Sequence, residues 1–168
     1  MNLTEQDIID DLQKFLKSYT EMFNTIKKNK YEPIMQIKQG FPIKYLQDSN
    51  YDDLTLQASD AKHRAIELEK ILQGLNDDMK IEIESAEANL VLYFAPQFLK
   101  DLGFDKPTSD MIGRYLNNEN LKVLKDLKKL HNLVDKLGTS AERLIRAFEA
   151  DEVNFRRIMD KQTKLIGF

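Results

Sequence analysis

No cysteine occurs in the chain, which removes disulfides, thiolate nucleophiles and Cys-ligated zinc and points to a reducing, intracellular setting. Tryptophan is absent too, and 6 glycines and 4 prolines among 168 residues leave few places for turns. Imidazoles are scarce. His63 and His131 are the 2 histidines, and neither stands in a His-Glu-x-x-His or Glu-x-x-His pattern. A Gly-rich phosphate loop and a nucleophile elbow are missing, and Asp48-Ser49-Asn50-Tyr51-Asp52-Asp53 lacks the glycine and distal glutamate of a calcium loop. These absences predict a protein without metal or cofactor, acting by binding and assembly rather than as an enzyme. Long apolar runs are lacking as well. The longest, around Leu90 to Ala95, is far too short to span a bilayer, and the first residues are acidic where a signal peptide would be basic and then apolar. The expectation is a soluble, cytoplasmic protein with no membrane partner.

What is abundant is helix-forming sequence, with 42% hydrophobic and 32% charged residues. Thr4 followed by Asp7 resembles a capping box, and Ile8, Leu12, Phe15, Tyr19, Met22 and Ile26 recur at helical spacing, predicting a first helix from about Glu5 to Lys28. Pro33, Gly40 and Pro42 then predict an irregular connector up to residue 50. From Leu54 the pattern is stricter. Leu54, Ala58, Ala61, Ala65, Leu68, Leu72, Leu75 and Met79 follow alternating steps of four and three, the mark of a coiled-coil seam. The stripe resumes one residue late at Ile83, Ala86, Leu90 and Tyr93, a stutter. Pro96 kinks or ends this helix, Leu102 to Thr108 reads as a turn, and Thr108 or Ser109 can cap the last helix. That helix falters at Asn117 to Asn120. Its seam then runs through Leu124, Leu127, His131, Val134, Gly138, Ala141, Ile145, Phe148, Glu152, Phe155, Met159, Gln162 and Ile166 to an end at Gly167.

The fold class predicted is all-α: an N-terminal helix and connector over residues 1–50, then a long antiparallel helical hairpin, coiled-coil-like, over 51–168. At ~1.5 Å per residue its two arms reach roughly 60 to 80 Å each, so the expectation is an elongated molecule. Apolar positions beside the seam, such as Leu130, Leu137 and Leu144, widen the stripe and favour further helices from the N-terminus or from other subunits, hence a homo-oligomer. Leu68, Leu72, Leu75, His131, Ile145 and Phe148 are the expected helix and oligomer seam, with His131 as a packed or register-setting polar residue.

Net charge is −3, but its distribution is uneven. Lys27, Lys28, Lys30, Lys38 and Lys44 face only Glu32 between Ile26 and Tyr45, whereas residues 46–60 carry four aspartates and no cation. Lysines interleaved with Tyr31, Phe41 and Tyr45 fit single-stranded nucleic acid, which is held by cationic contacts to phosphate and by bases stacked on aromatics; a solvated connector with capping aromatics is the plainer alternative. Arg156 and Arg157, with Lys161 and Lys164, form a second basic region that also suits the helix dipole without any ligand.

Ala88-Asn89-Leu90-Val91-Leu92-Tyr93-Phe94, then Leu116-Asn117-Asn118-Glu119-Asn120-Leu121-Lys122-Val123-Leu124, then Leu144-Ile145-Arg146-Ala147-Phe148 and Phe155-Arg156-Arg157-Ile158-Met159 occur in an order that resembles the phage recombination mediator family typified by the UvsY protein. The resemblance covers about Asp53 to Phe168. It implies a helical, ring-forming phage protein of DNA recombination and repair that binds single-stranded DNA and helps load a recombinase onto DNA coated by single-strand-binding protein, in the cytoplasm of the host. Leu90, Tyr93 and Phe94 match the apolar members of the family's DNA-contacting segment, whereas Glu87 and Asn89 stand where its cations belong. Any DNA contact then shifts to the Lys27–Tyr45 region or the C-terminal helix. The rival expectation is a structural coiled-coil subunit, for instance a virion-assembly or scaffold component.

Overall fold

Residues 2–47, 50–106 and 108–166 are described by the computed structural model of the chain, with backbone alone at 42–47. They are helical almost throughout, and no strand occurs among them. Helix α1 spans Glu5–Ile26, a π-helical turn Lys27–Tyr31 follows, and α2 spans Glu32–Gln47. Then come α3 (Tyr51–Tyr93), α4 (Ala95–Asp101), α5 (Ser109–Leu116), a 3₁₀ turn (Glu119–Leu121) and α6 (Lys122–Leu165). At ~1.5 Å per residue, the 43 residues of α3 and 44 of α6 make each about 65 Å long.

The expected irregular connector is a correction. Residues 32–47 are helical, and Pro33 is accommodated because the turn before it is widened: the Glu32 N–H bonds back to the Lys27 carbonyl, five residues away. A proline ring ordinarily strikes the carbonyl four residues earlier and lacks the N–H to bond it, and a π turn relieves both demands. The start of α1 follows the expected pattern. Thr4 N–H donates to Asp7 Oδ2 at 2.9 Å and Asp7 N–H donates to Thr4 Oγ1 at 3.1 Å, a reciprocal capping box. Helix α4 ends in a Schellman motif, with Gly103 at φ +89° and bonds from Gly103 N–H to Lys100 O and Phe104 N–H to Leu99 O. Thr108 caps α5. The falter at Asn117–Asn118 is real: Asn118 accepts from Asn120 N–H at 2.9 Å, restarting the chain as a 3₁₀ turn. The expected end at Gly167 lies outside the described residues.

The chain divides into two compact units, each assembled from two stretches. The first joins residues 1–23 to 74–134. Its core holds Ile8, Leu12, Met79, Ile83, Ala86, Leu90, Leu99, Leu121, Leu124 and Leu127 around Tyr115, which is wholly buried. Tyr115 packs on Phe98 (centroids 5.2 Å apart), and its hydroxyl donates to Glu5 Oε2 at 2.9 Å, which fastens the first turn of α1 onto α5. Burial, then the Glu5 carboxylate, push that phenol far above its ordinary range. Glu87 pairs with Lys128, and the His131 Nε2–H donates to the Asn76 carbonyl at 3.2 Å.

The second unit joins residues 24–73 to 135–168. Ala58, Ala61 and Ala65 are fully buried, so α3 itself contributes no more than a methyl at those positions. Phe41 sets its edge against Phe148 (5.7 Å, 81°) and Phe155 (6.0 Å, 78°). It is a core residue rather than a stacking platform.

Every α3 seam position from Leu54 to Leu90 is buried, the one-residue shift at Ile83 included, but Tyr93 is 61% exposed. On α6, Val134, Ala141, Phe148 and Phe155 are buried as expected, whereas His131, Gly138, Ile145 and Met159 are half-buried and Gln162 and Ile166 exposed. The buried stripe runs through Leu130, Leu137 and Leu144 instead, one residue to the side. On α1, Met22 is exposed and Phe23 takes its place inside.

Candidate nucleic-acid interface

The widened turn places Lys27, Lys28 and Lys30 in solvent, with Tyr31 half-buried behind them. None of the three lysines has a carboxylate within ion-pair distance among the described residues. Beside them, Asn29, Lys30 and Pro33 line a small groove of about 190 Å³ with Arg64, Glu67 and Leu68 of α3. Arg64 is the residue missed in the sequence. Its separation of more than thirty positions from Lys30 hides the pairing, and its Nε also holds Asp60 at 3.1 Å.

Other candidate cations are already engaged. Lys38 pairs with Asp151 and lies 5.9 Å from the Phe148 ring centroid, so its charge is held inside the unit. Arg156 donates to Glu152 Oε1 at 2.8 Å, and the other oxygen of Glu152 takes Lys62 at 3.0 Å. Glu152 is 8% exposed, so a seam position holds a carboxylate because two cations reach it. Arg157 is exposed without such a partner among the described residues. Lys44 and Tyr45 lie outside the described side chains.

Tyr93 and Phe94 belong to the first unit, at the end of α3 and the turn after it, their rings 6.4 Å apart. Leu92 and Tyr93 are exposed and Phe94 half-buried. The nearest charged residue on that stretch, Glu87, is neutralised by Lys128. The expected DNA-binding residues therefore fall on two units: the structure brings Lys27, Lys28, Lys30 and Tyr31 together on one turn and assigns Lys38 and Arg156 to internal pairing. No group of side chains suited to a metal ion occurs among the described residues.

This chain matches no protein-family model, no curated protein and no solved structure. The likeness to recombination mediators accordingly rests on its quoted motifs alone. No helix among the described residues is long and apolar enough to cross a membrane. His63 is exposed and bonds the Ser59 carbonyl of its own helix at 2.7 Å, a local interaction that asks for no ligand.

Proposed function

We propose that this protein binds single-stranded DNA as a recombination-mediator type of accessory protein, a cytoplasmic homo-oligomer of antiparallel helical hairpins that performs no catalysis. The observation that carries the reading is the π turn: three exposed lysines without carboxylate partners among the described residues, next to a half-buried tyrosine, while Lys38, Lys62, Lys128 and Arg156 are neutralised. Exposed cations on one turn suit a phosphate backbone, and π turns recur at functional positions. The antiparallel arrangement is supported within the first unit, where Glu87 meets Lys128 and Asn76 meets His131, so position falls along α3 as it rises along α6. A recombinase and a single-strand-binding protein as partners, and a phage origin, follow from the resemblance.

The test is titration of a labelled oligonucleotide at several salt concentrations. Replacing Lys27, Lys28 and Lys30 by Ala should flatten the slope of log K against log salt by about 0.7 for each phosphate that is no longer neutralised. Absence of binding at low salt would overturn the reading. A second reading, a structural coiled-coil subunit of a virion or scaffold, is favoured by Ile81 and Leu92, which leave large apolar side chains 64% and 65% exposed on α3.

A further inference from the structure

Two exposed surfaces of the first unit complement each other. On α3, Ile81 and Leu92 are 64% and 65% exposed and lie about 17 Å apart along the helix, with exposed Glu84, Ser85 and Ala88 between them and exposed Asp78 beside Ile81. That stretch is acidic: from Gly74 to Phe94 it carries five carboxylates and a single cation, Lys80, which reaches Glu84 at 3.9 Å. On α6 the charge is opposite. Lys122, Lys125 and Lys129 recur at helical spacing, exposed and without a carboxylate partner among the described residues. With half-buried Leu116, and with Glu119 and Asp126, they line a groove of about 510 Å³. Leu133, 49% exposed, lies eleven residues beyond Lys122 on the same face, the interval that also separates Ile81 from Leu92.

Both surfaces face solvent on separate helices of one compact unit, so they can meet only between copies. Each lacks what the other supplies. Nucleic acid would satisfy the α6 lysines, but it would leave Leu133 and the α3 stripe in water and be repelled by the carboxylates of α3. We propose that the α3 stripe of one copy docks on the α6 groove of the next, with one of Ile81 and Leu92 beside Leu116, the other on Leu133, and Asp78 and Glu84 against the three lysines. Ser85 and Ala88 are small, which leaves room for the long lysine side chains. Because two different surfaces meet, the interface is heterologous, and each copy keeps one surface open for a further copy. This contact presupposes the homo-oligomer proposed above and requires no DNA.

Sedimentation velocity of the full chain at low salt, where exposed charges are least screened, tests it. Asp78→Lys with Glu84→Lys should raise the concentration needed for assembly at least tenfold, and so should Lys125→Glu with Lys129→Glu, while the helical circular dichroism signal persists. Mixed together, these two variants offer one native and one reversed contact, both complementary, so assembly should return. Because the chain has no cysteine, single cysteines report the contact directly. Leu133→Cys mixed with Ile81→Cys or with Leu92→Cys should, in one of the two mixtures, form a disulfide-linked dimer under mild oxidation at least tenfold faster than any of the three variants alone. Equally fast linking of Ile81→Cys or Leu92→Cys by itself identifies an α3-to-α3 contact and overturns the heterologous one. Assembly undisturbed by either charge reversal overturns it while leaving the homo-oligomer in place, whereas a monomeric wild type removes both. Loss of oligonucleotide binding in Lys125→Glu with Lys129→Glu, with assembly unchanged, assigns the groove to nucleic acid and also overturns the proposal.

Discussion

Glu152 sits where a coiled-coil seam calls for an apolar residue, and it persists there because Lys62 and Arg156 divide its two oxygens. Removing only the carboxylate strands Lys62, whose side chain is 20% exposed, so Glu152→Ala should cost about 2 to 3 kcal/mol in urea unfolding. Replacing both partners, Lys62→Met with Glu152→Leu, should be close to neutral, because desolvation of the two ions vanishes along with their attraction. An unchanged urea midpoint in the single variant would show that the pair contributes nothing. Apolar seam positions obey a simpler rule. Leu72 is 1% exposed, so Leu72→Asp buries an unpaired charge at a cost of several kcal/mol. Ile145→Asp, at a half-buried position, should cost clearly less, and equal melting temperatures for the two would mean that the assigned burial is wrong.

Helix ends carry the next set of consequences. The Asp7 carboxylate accepts from Thr4 N–H while the Asp7 N–H donates to Thr4 Oγ1, and hydrogen bonding to Thr4, its backbone first and then its side chain, holds the Asp7 carboxyl below the ordinary value of 3.8. A carboxyl depressed on folding contributes stability above its unfolded value, and that contribution is lost as pH falls through the lower folded value. Amide exchange in the first turn of α1 should therefore quicken only in strong acid, and Thr4→Ala should move that onset upward. At the other kind of end, Gly103 adopts φ +89°, and a Cβ at that position would meet nothing within 4 Å. Gly103→Ala therefore meets a backbone penalty without a clash, about 1 kcal/mol in unfolding free energy. The Thr4–Asp7 cap was legible in the residues, as was the α3 seam from Leu54 to Leu90, though not at Tyr93, because Leu and Ala there are flanked by charged neighbours that leave one phase. On α6 the pairs Leu130/His131, Leu137/Gly138 and Leu144/Ile145 offer two adjacent phases, and only packing selects the first of each. The helix at 32–47 was illegible for a different reason: Pro33, Gly40 and Pro42 are breakers by local rules, and the π turn that rescues Pro33 has no composition of its own. Of the candidate interface, the lysine trio could be read from charge, whereas the engagement of Lys38 depends on Asp151, a carboxylate brought in by folding; Arg156 meets Glu152 one turn earlier on the same helix.

At the scale of the whole molecule, the proposed assembly has a definite surface to answer for. Ile81 and Leu92 are eleven residues apart, close to three full turns, so they stand on one face of α3 with the exposed Ser85 and Ala88 between them. Large apolar side chains left in water along one helical stripe mark an interaction surface more often than chance exposure does. If subunits pair through that stripe, sedimentation velocity should show a species that grows with protein concentration, and Ile81→Lys with Leu92→Lys should shift it to the monomer while the helical circular dichroism signal persists. Binding to a long oligonucleotide should then weaken by far more than binding to a short one, because an assembly multiplies weak interactions whereas a monomer engages the strand only once. A wild-type protein that remains monomeric across the accessible concentration range would remove the homo-oligomer and leave each π turn to hold DNA by its three lysines alone. An oligomer that survives both lysine substitutions would place the subunit interface elsewhere on the helices.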